Sequence, residues 1–214
     1  MSNRHWDGLA LAAIGGAAAA SAALYGELPE RVATHFDLHG NPNGWMARPW
    51  AAAFMPAFAL VVWALVRFAP LVLPSSDKKR LAGGLVALVA SLTAVFLAVL
   101  HFVLLRVAIG AAIDVMQTVL VLAGVFFVAL GLVLPRVKRN PILGIRTAWT
   151  LRSDENWART QRVGGYAMVI AGLFTVLAGA VGGPAGAIVA FVALILAGIV
   201  PVLYSLMLAR RSPE

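Results

Sequence analysis

Three residues near the start of the chain have types and spacing suited to chemistry: His35, Asp37 and His39. At i, i+2 and i+4 they share one face of a strand. Two imidazoles and a carboxylate are a zinc donor set with a coordination position to spare, and His101 is a distant candidate for a fourth ligand. Zinc is therefore the one cofactor these residues suggest. The plainer alternative is a polar loop in which the same side chains hydrogen-bond a turn. A second group lies far along the chain, where Gly144 precedes Ile145, Arg146 and Thr147. A guanidinium beside turn amides suits a carboxylate or a phosphate, or it clamps the loop to helix-end carbonyls. The chain has no cysteine, no glycine-rich phosphate loop, no Gly-x-Ser-x-Gly elbow and no His-Glu-x-x-His pair. No set of residues reads as catalytic, and the balance is against an enzyme.

The elements that must carry these residues are apolar. The 214 residues are 61% hydrophobic and 12% charged, which excludes an ordinary soluble globule and excludes disorder more firmly. Long apolar runs cover 8–25, 51–73, 81–105, 115–134, 164–183 and 185–209. Each is long enough to cross about 30 Å of hydrocarbon as a helix, and their continuity argues against a β-barrel. The expected fold is all-α: a polytopic integral membrane protein, a six-helix transmembrane bundle forming one membrane domain over 1–214. Arg67, near the end of the second run, is expected to snorkel to the headgroups.

Positive charge sets the expected orientation. With both termini in the cytoplasm, thirteen of the seventeen Lys and Arg residues fall inside, among them Arg4, Lys78, Lys79, Arg80, Arg210, Arg211 and seven in 135–163. Arg31, Arg48 and Arg106 fall outside. That bias predicts a cytoplasmic membrane protein with both ends inside. Anionic lipid then accounts for the net charge of +8, and no direct nucleic-acid partner is needed.

Two loops hold most of the polar sequence. The outer one, 26–50, has a short alternating stretch, then the turn-forming run Gly40-Asn41-Pro42-Asn43-Gly44, then Trp45. It reads as a small hairpin on the outer membrane surface with Trp45 and Trp50 as interfacial anchors. The inner one, 135–163, turns at Asn140-Pro141 and Gly144. Ser153 followed by Asp154 and Glu155 then reads as the capped start of an amphipathic helix. Trp149 and Trp157 are expected at headgroup level, with arginines reaching phosphates.

Both loops carry a resemblance. THFDLHGNPNGW, with Leu28-Pro29 ahead of it, resembles an N-terminal membrane domain of unknown function. NPILGIRTAWTLRSDENWARTQRVGG resembles the signature of the SdpI-type bacterial immunity proteins. The residues matching the inner signature are Asn140, Gly144, Ile145, Arg146, Thr147, Trp149, Thr150, Leu151, Ser153, Trp157 and Thr160. Gln161 stands where the pattern has His or Asn, which puts any acid–base role there in doubt. The resemblance implies a bacterial membrane protein that protects against a secreted, membrane-active peptide toxin and signals to a cytoplasmic regulator.

Ligand contacts are then expected in the outer loop, at His35, Phe36, Asp37, His39, Gly40 and Trp45. The competing readings are a small-molecule or ion transporter and a metal-dependent membrane enzyme acting at the outer face. The first is disfavoured by spans almost empty of charge. The second requires the His and Asp side chains to converge.

Overall fold

The computed structural model describes residues 3–75 and 84–211, so the cluster Lys78, Lys79 and Arg80 lies outside the described residues. The chain runs through helix α1 (Asn3–Leu24), strands β1 (Arg31–Phe36) and β2 (Pro42–Ala47), and helices α2 (Arg48–Phe68) and α3 (Leu85–Ala108). Then follow α4 (Val115–Val133), the short α5 (Ala148–Arg152), α6 (Asp154–Val181) and α7 (Gly183–Arg211). Among the described residues, six helices are long and apolar enough to cross a membrane: α1, α2, α3, α4, α6 and α7. The protein is an all-α polytopic membrane bundle with one small two-stranded sheet. Successive helices alternate in direction. The hairpin lies at one end of the bundle, while α5 and the loop before it lie at the other. These are the hairpin end and the basic end below.

The six helices pack as two trios. The first joins α1 and α2 to α3, around small side chains (Ala10, Ala59, Ala90, Ala94) closed by Ile14, Trp63 and Leu97. Alanine at these sites lets helices approach closely without relying on a hydrophobic force that lipid does not supply. Near the basic end Arg67 departs from the snorkelling expectation. Its guanidinium takes Asp7 of α1 in a two-pronged ion pair, Nε and one terminal nitrogen to the two carboxylate oxygens at 2.8 and 3.1 Å. A partner sixty residues away offers a bidentate geometry that a fluid headgroup does not hold.

The second trio joins α4, α6 and α7. Its contact is made by glycines opposed across an antiparallel pair of helices. A Cβ on Gly124 would stand 2.6 Å from the carbonyl oxygen of Gly172, and one on Gly172 would stand 2.6 Å from that of Gly124. Gly131 and Gly165 repeat the relation at 2.8 Å each way. Gly179 faces the Gln117 carbonyl, where a Cβ would stand 3.0 Å away. The glycines of each helix recur every seven residues, so one seam of α4 meets one seam of α6 backbone to backbone. The trios join where α3 meets α4, and the rings of Phe96 and Phe126 stack there with centroids 4.6 Å apart.

Candidate functional site

At the hairpin end, β1 and β2 pair antiparallel from Arg31↔Ala47 to Phe36↔Pro42, with register irregularities on either side of His35. Leu28 and Val32 are buried with Ala51, Ala52 and Leu105. The hairpin is thus seated on the ends of α1, α2 and α3 rather than laid free on a membrane surface. Its tip is a carboxylate-stapled turn. Asp37 Oδ1 accepts from the backbone N–H groups of His39 at 2.8 Å and Asn41 at 2.9 Å. The Asn41 backbone bond, aided by those from His39 and the Asn41 side chain, holds the Asp37 carboxyl below its ordinary pKa, against a smaller opposing effect of burial. Gly44 lies opposite His35, where a Cβ would come within 2.8 Å of the His35 Cβ.

Two clefts flank this hairpin. The larger, about 420 Å³, lies between the hairpin and the α3–α4 connection. Phe36, His39, Gly40 and Trp45 line it, joined by Arg31 and by Asp114, which also caps α4 by accepting from the Gln117 N–H at 2.9 Å. The smaller, about 290 Å³, lies between the hairpin and α2 and α3, and His35 and His101 line it. His101 Nε2 stands 2.6 Å from Ser21 Oγ, which in turn donates to the Ala52 carbonyl at 2.8 Å. The serine's single hydrogen is committed to Ala52, so Ser21 accepts from Nε2–H, and this network assigns the His101 tautomer.

The zinc set therefore does not assemble. His35 and His101 line one cleft and His39 the other, while the Asp37 carboxylate faces its own turn. Strand β1 ends at Phe36, so the alternation that would align three donors stops after the first. Among the described residues no three His, Asp or Glu side chains are grouped to hold a metal ion.

At the basic end the signature residues form a hydrogen-bonded clasp. Asn140 Oδ1 accepts from the N–H groups of Ile142 and Leu143, both at 2.7 Å, while its Nδ2 donates to the carbonyls of Lys138 and Leu143. Gly144 has φ +107°, and a Cβ there would stand 2.9 Å from Gln161 Oε1 and 3.1 Å from the Trp157 ring. Glycine is required twice over, by backbone and by space. Gln161 then holds the next residue at both ends. Its Oε1 accepts from Ile145 N–H at 2.9 Å, and its Nε2 donates to the Ile145 carbonyl at 3.0 Å. Thr147 and Thr150 form a capping box at the start of α5, and Ser153 caps α6.

Below them Asn156 Nδ2 donates to the Ser205 carbonyl at 2.9 Å, and Thr160 Oγ1 donates to Asn156 Oδ1 at 3.0 Å. Trp157 is 2% exposed, and its indole N–H donates to the Val137 carbonyl at 2.7 Å. It is packed inside the protein rather than facing headgroups, because that carbonyl gives its polar edge a partner there. Trp149 is half-buried. Arg146 stays exposed and donates to the Pro141 carbonyl of its own loop. Gln161 contributes amide hydrogen bonds, with nothing to titrate.

The geometry defines a class: a six-helix membrane protein with a seated hairpin at one end and a buried polar clasp at the other. Residues 136–205 match the SdpI/YfhL protein family, and 12–60 match a domain of unknown function, DUF1648. The chain is thus similar to the SdpI-type proteins, the SdpI/YfhL match falling on the basic loop and the second trio and the DUF1648 match on the first. It is 23% identical over 150 residues to the immunity protein SdpI of Bacillus subtilis (strain 168), covering 70% of this chain and 69% of that one. No solved structure matches it.

Sequence reasoning did not find Arg31 in the larger cleft, nor Asn156, Ser205 and the glycine seam. Ser205 did leave a signal, as a polar residue within an apolar run.

Proposed function

We propose that this is an immunity-type membrane protein, protecting a bacterial cell from a secreted, membrane-active peptide, with the hairpin end outside and both termini in the cytoplasm. The observation that carries this reading is the larger hairpin cleft. It joins the aromatic faces of Phe36 and Trp45 to Arg31, His39 and Asp114, an amphipathic lining suited to an amphipathic peptide. Trp45 is 50% exposed, leaving a rigid aromatic surface free to bury on binding. The similarity to a protein named as an immunity protein supports the protective role, and the excess of Lys and Arg at the basic end supports the orientation. Asp37 and Gly40 act by shaping the tip, and His35 by lining the neighbouring cleft. On this reading the exposed face of the basic loop, with Arg146, Arg152 and Arg159, meets a cytoplasmic regulator.

The test is survival. Cells expressing the protein are challenged with a membrane-active peptide that kills their parent, beside cells expressing Trp45→Ala at equal membrane abundance. Protection by the parent sequence and its loss in Trp45→Ala is the expected result. Protection that persists undiminished in Trp45→Ala and in Arg31→Gln overturns the assignment of recognition to the hairpin cleft. A reporter fused to the C-terminus that is active only outside the cell overturns the orientation.

A further inference from the structure

At the basic end a third cleft, of about 450 Å³, has a character unlike the other two. Its walls carry Arg136, Lys138, Arg139 and Asp154, and Pro135 and Trp157 contribute an apolar floor. Arg139 is already engaged, Nε to Asp154 Oδ1 at 2.7 Å and a terminal nitrogen to the Leu151 carbonyl at 2.7 Å. Asp154 thus balances Arg139, and the cleft's excess charge belongs to Arg136 and Lys138. Both are exposed, and neither side chain has a hydrogen-bonded or ionic partner among the described residues.

The backbone that presents these two cations is fixed. Between them Val137 is extended (φ −76°, ψ 113°) and buried, with its carbonyl held by Trp157. The Lys138 carbonyl is held by Asn140 Nδ2 at 2.8 Å. Arg136, the last residue of a 3-10 turn, and Lys138 flank the extended Val137, and both line the same cleft. The ordering cost of placing two cations side by side is met by the fold and not by the ligand. The cleft also opens where the Val115–Arg136 span ends, one turn beyond the exposed Leu132. That is headgroup depth, with an apolar helix face leading away from it.

We infer that Arg136 and Lys138 form a defined site for the phosphate of an anionic phospholipid headgroup, with the acyl chains lying along α4. Basic loops attract anionic lipid diffusely as well. A built site differs in holding one lipid and in depending on these two cations rather than on net charge.

The full-length protein in detergent is titrated with dioleoyl phosphatidylglycerol, dioleoyl phosphatidylcholine or glycerol 3-phosphate, and retained lipid is counted by native mass spectrometry. One phosphatidylglycerol is expected to be held in preference to phosphatidylcholine. The double variant Arg136→Gln/Lys138→Gln should weaken it by about fivefold per charge removed. Arg210→Gln/Arg211→Gln removes the same charge from the same end and should weaken binding far less. Arg136→Lys/Lys138→Arg keeps both charges and should retain binding. Equal weakening by the two glutamine pairs would mean diffuse attraction and overturn the site. So would binding without preference for phosphatidylglycerol, or glycerol 3-phosphate binding as tightly as the lipid.

Discussion

The two loops are held by opposite means. The hairpin, from Leu28 to Ala47, is attached by apolar side chains: Leu28 and Val32 go down among Ala51, Ala52 and Leu105, while its own side-chain hydrogen bonds lie at its tip and Arg48 bonds the Pro29 and Glu30 carbonyls at its base. The basic loop, from Val137 to Gln161, is attached by buried hydrogen bonds, with Asn140, Thr150, Asn156, Thr160, Gln161 and Ser205 all removed from solvent. An apolar seat tolerates small displacements and leaves clefts at its edges. A fully satisfied polar network holds one geometry and is costly to break anywhere. This difference says what a sequence signature reports. The long basic-end signature marks how that loop is built, whereas the hairpin motif also supplies residues that line an open cleft, Phe36, His39 and Trp45, which Arg31 and Asp114 join from outside it.

The comparison is most exposed to a pair of tryptophan substitutions. Trp157→Ala should destabilise the protein by about 3–5 kcal/mol, because it empties a buried ring and leaves the Val137 carbonyl unpaired. Trp45→Ala, half-exposed, should stay within about 0.5 kcal/mol. Thermal unfolding of both in detergent checks this, and similar losses would erase the distinction. Gln161→Leu comes next. It preserves volume but strips both bonds from Ile145, and should cost about 2 kcal/mol, while Gln161→Asn should not restore the double contact. Unfolding curves that match the parent would show that the clasp is ornamental.

The smallest effect is one of pH. The carboxyl of Asp37 is held below its ordinary value by the turn amides, so its stabilisation of the tip is complete above that ordinary value. It is lost as pH falls through the lowered value. The clasp bonds of Asn140, Thr147, Thr150 and Gln161 involve no titrating side chain. Acidification should therefore weaken amide protection at His39 and Asn41, after correction for intrinsic exchange, and leave Ile145 unchanged. Protection lost at all three together would mean that the ends do not respond separately.

Much of the fold could be read in advance because its signals are local. Six uninterrupted apolar runs require six helices, and Gly40-Asn41-Pro42-Asn43-Gly44 requires a reversal. Ser153 before two acids begins α6 as its chemistry predicts. What escaped depended on partners distant in sequence. Arg67 finds Asp7 sixty residues away. Trp157 is amphipathic and suits an interface equally well until the Val137 carbonyl is known to face it. The expectation of three aligned donors assumed that a strand continued past Phe36, and the Asp37 turn ends it there. Arg31 and Asp114 meet at one cleft only because the hairpin folds over the start of α4.

One mechanical consequence follows from the glycine seam. Helix α6 is unbroken over 28 residues, about 42 Å, from the clasp at its first turn to the hairpin end of the bundle. Its glycines meet those of α4 like teeth on matched racks, at a pitch of two helical turns. A slip of a single turn, about 5.4 Å, would drive side chains into backbone, so intermediate settings are sterically barred. Sliding of α6 along α4 is therefore opposed along the whole seam, and a displacement at the clasp is expected to reach the hairpin end as a movement of the two helices together.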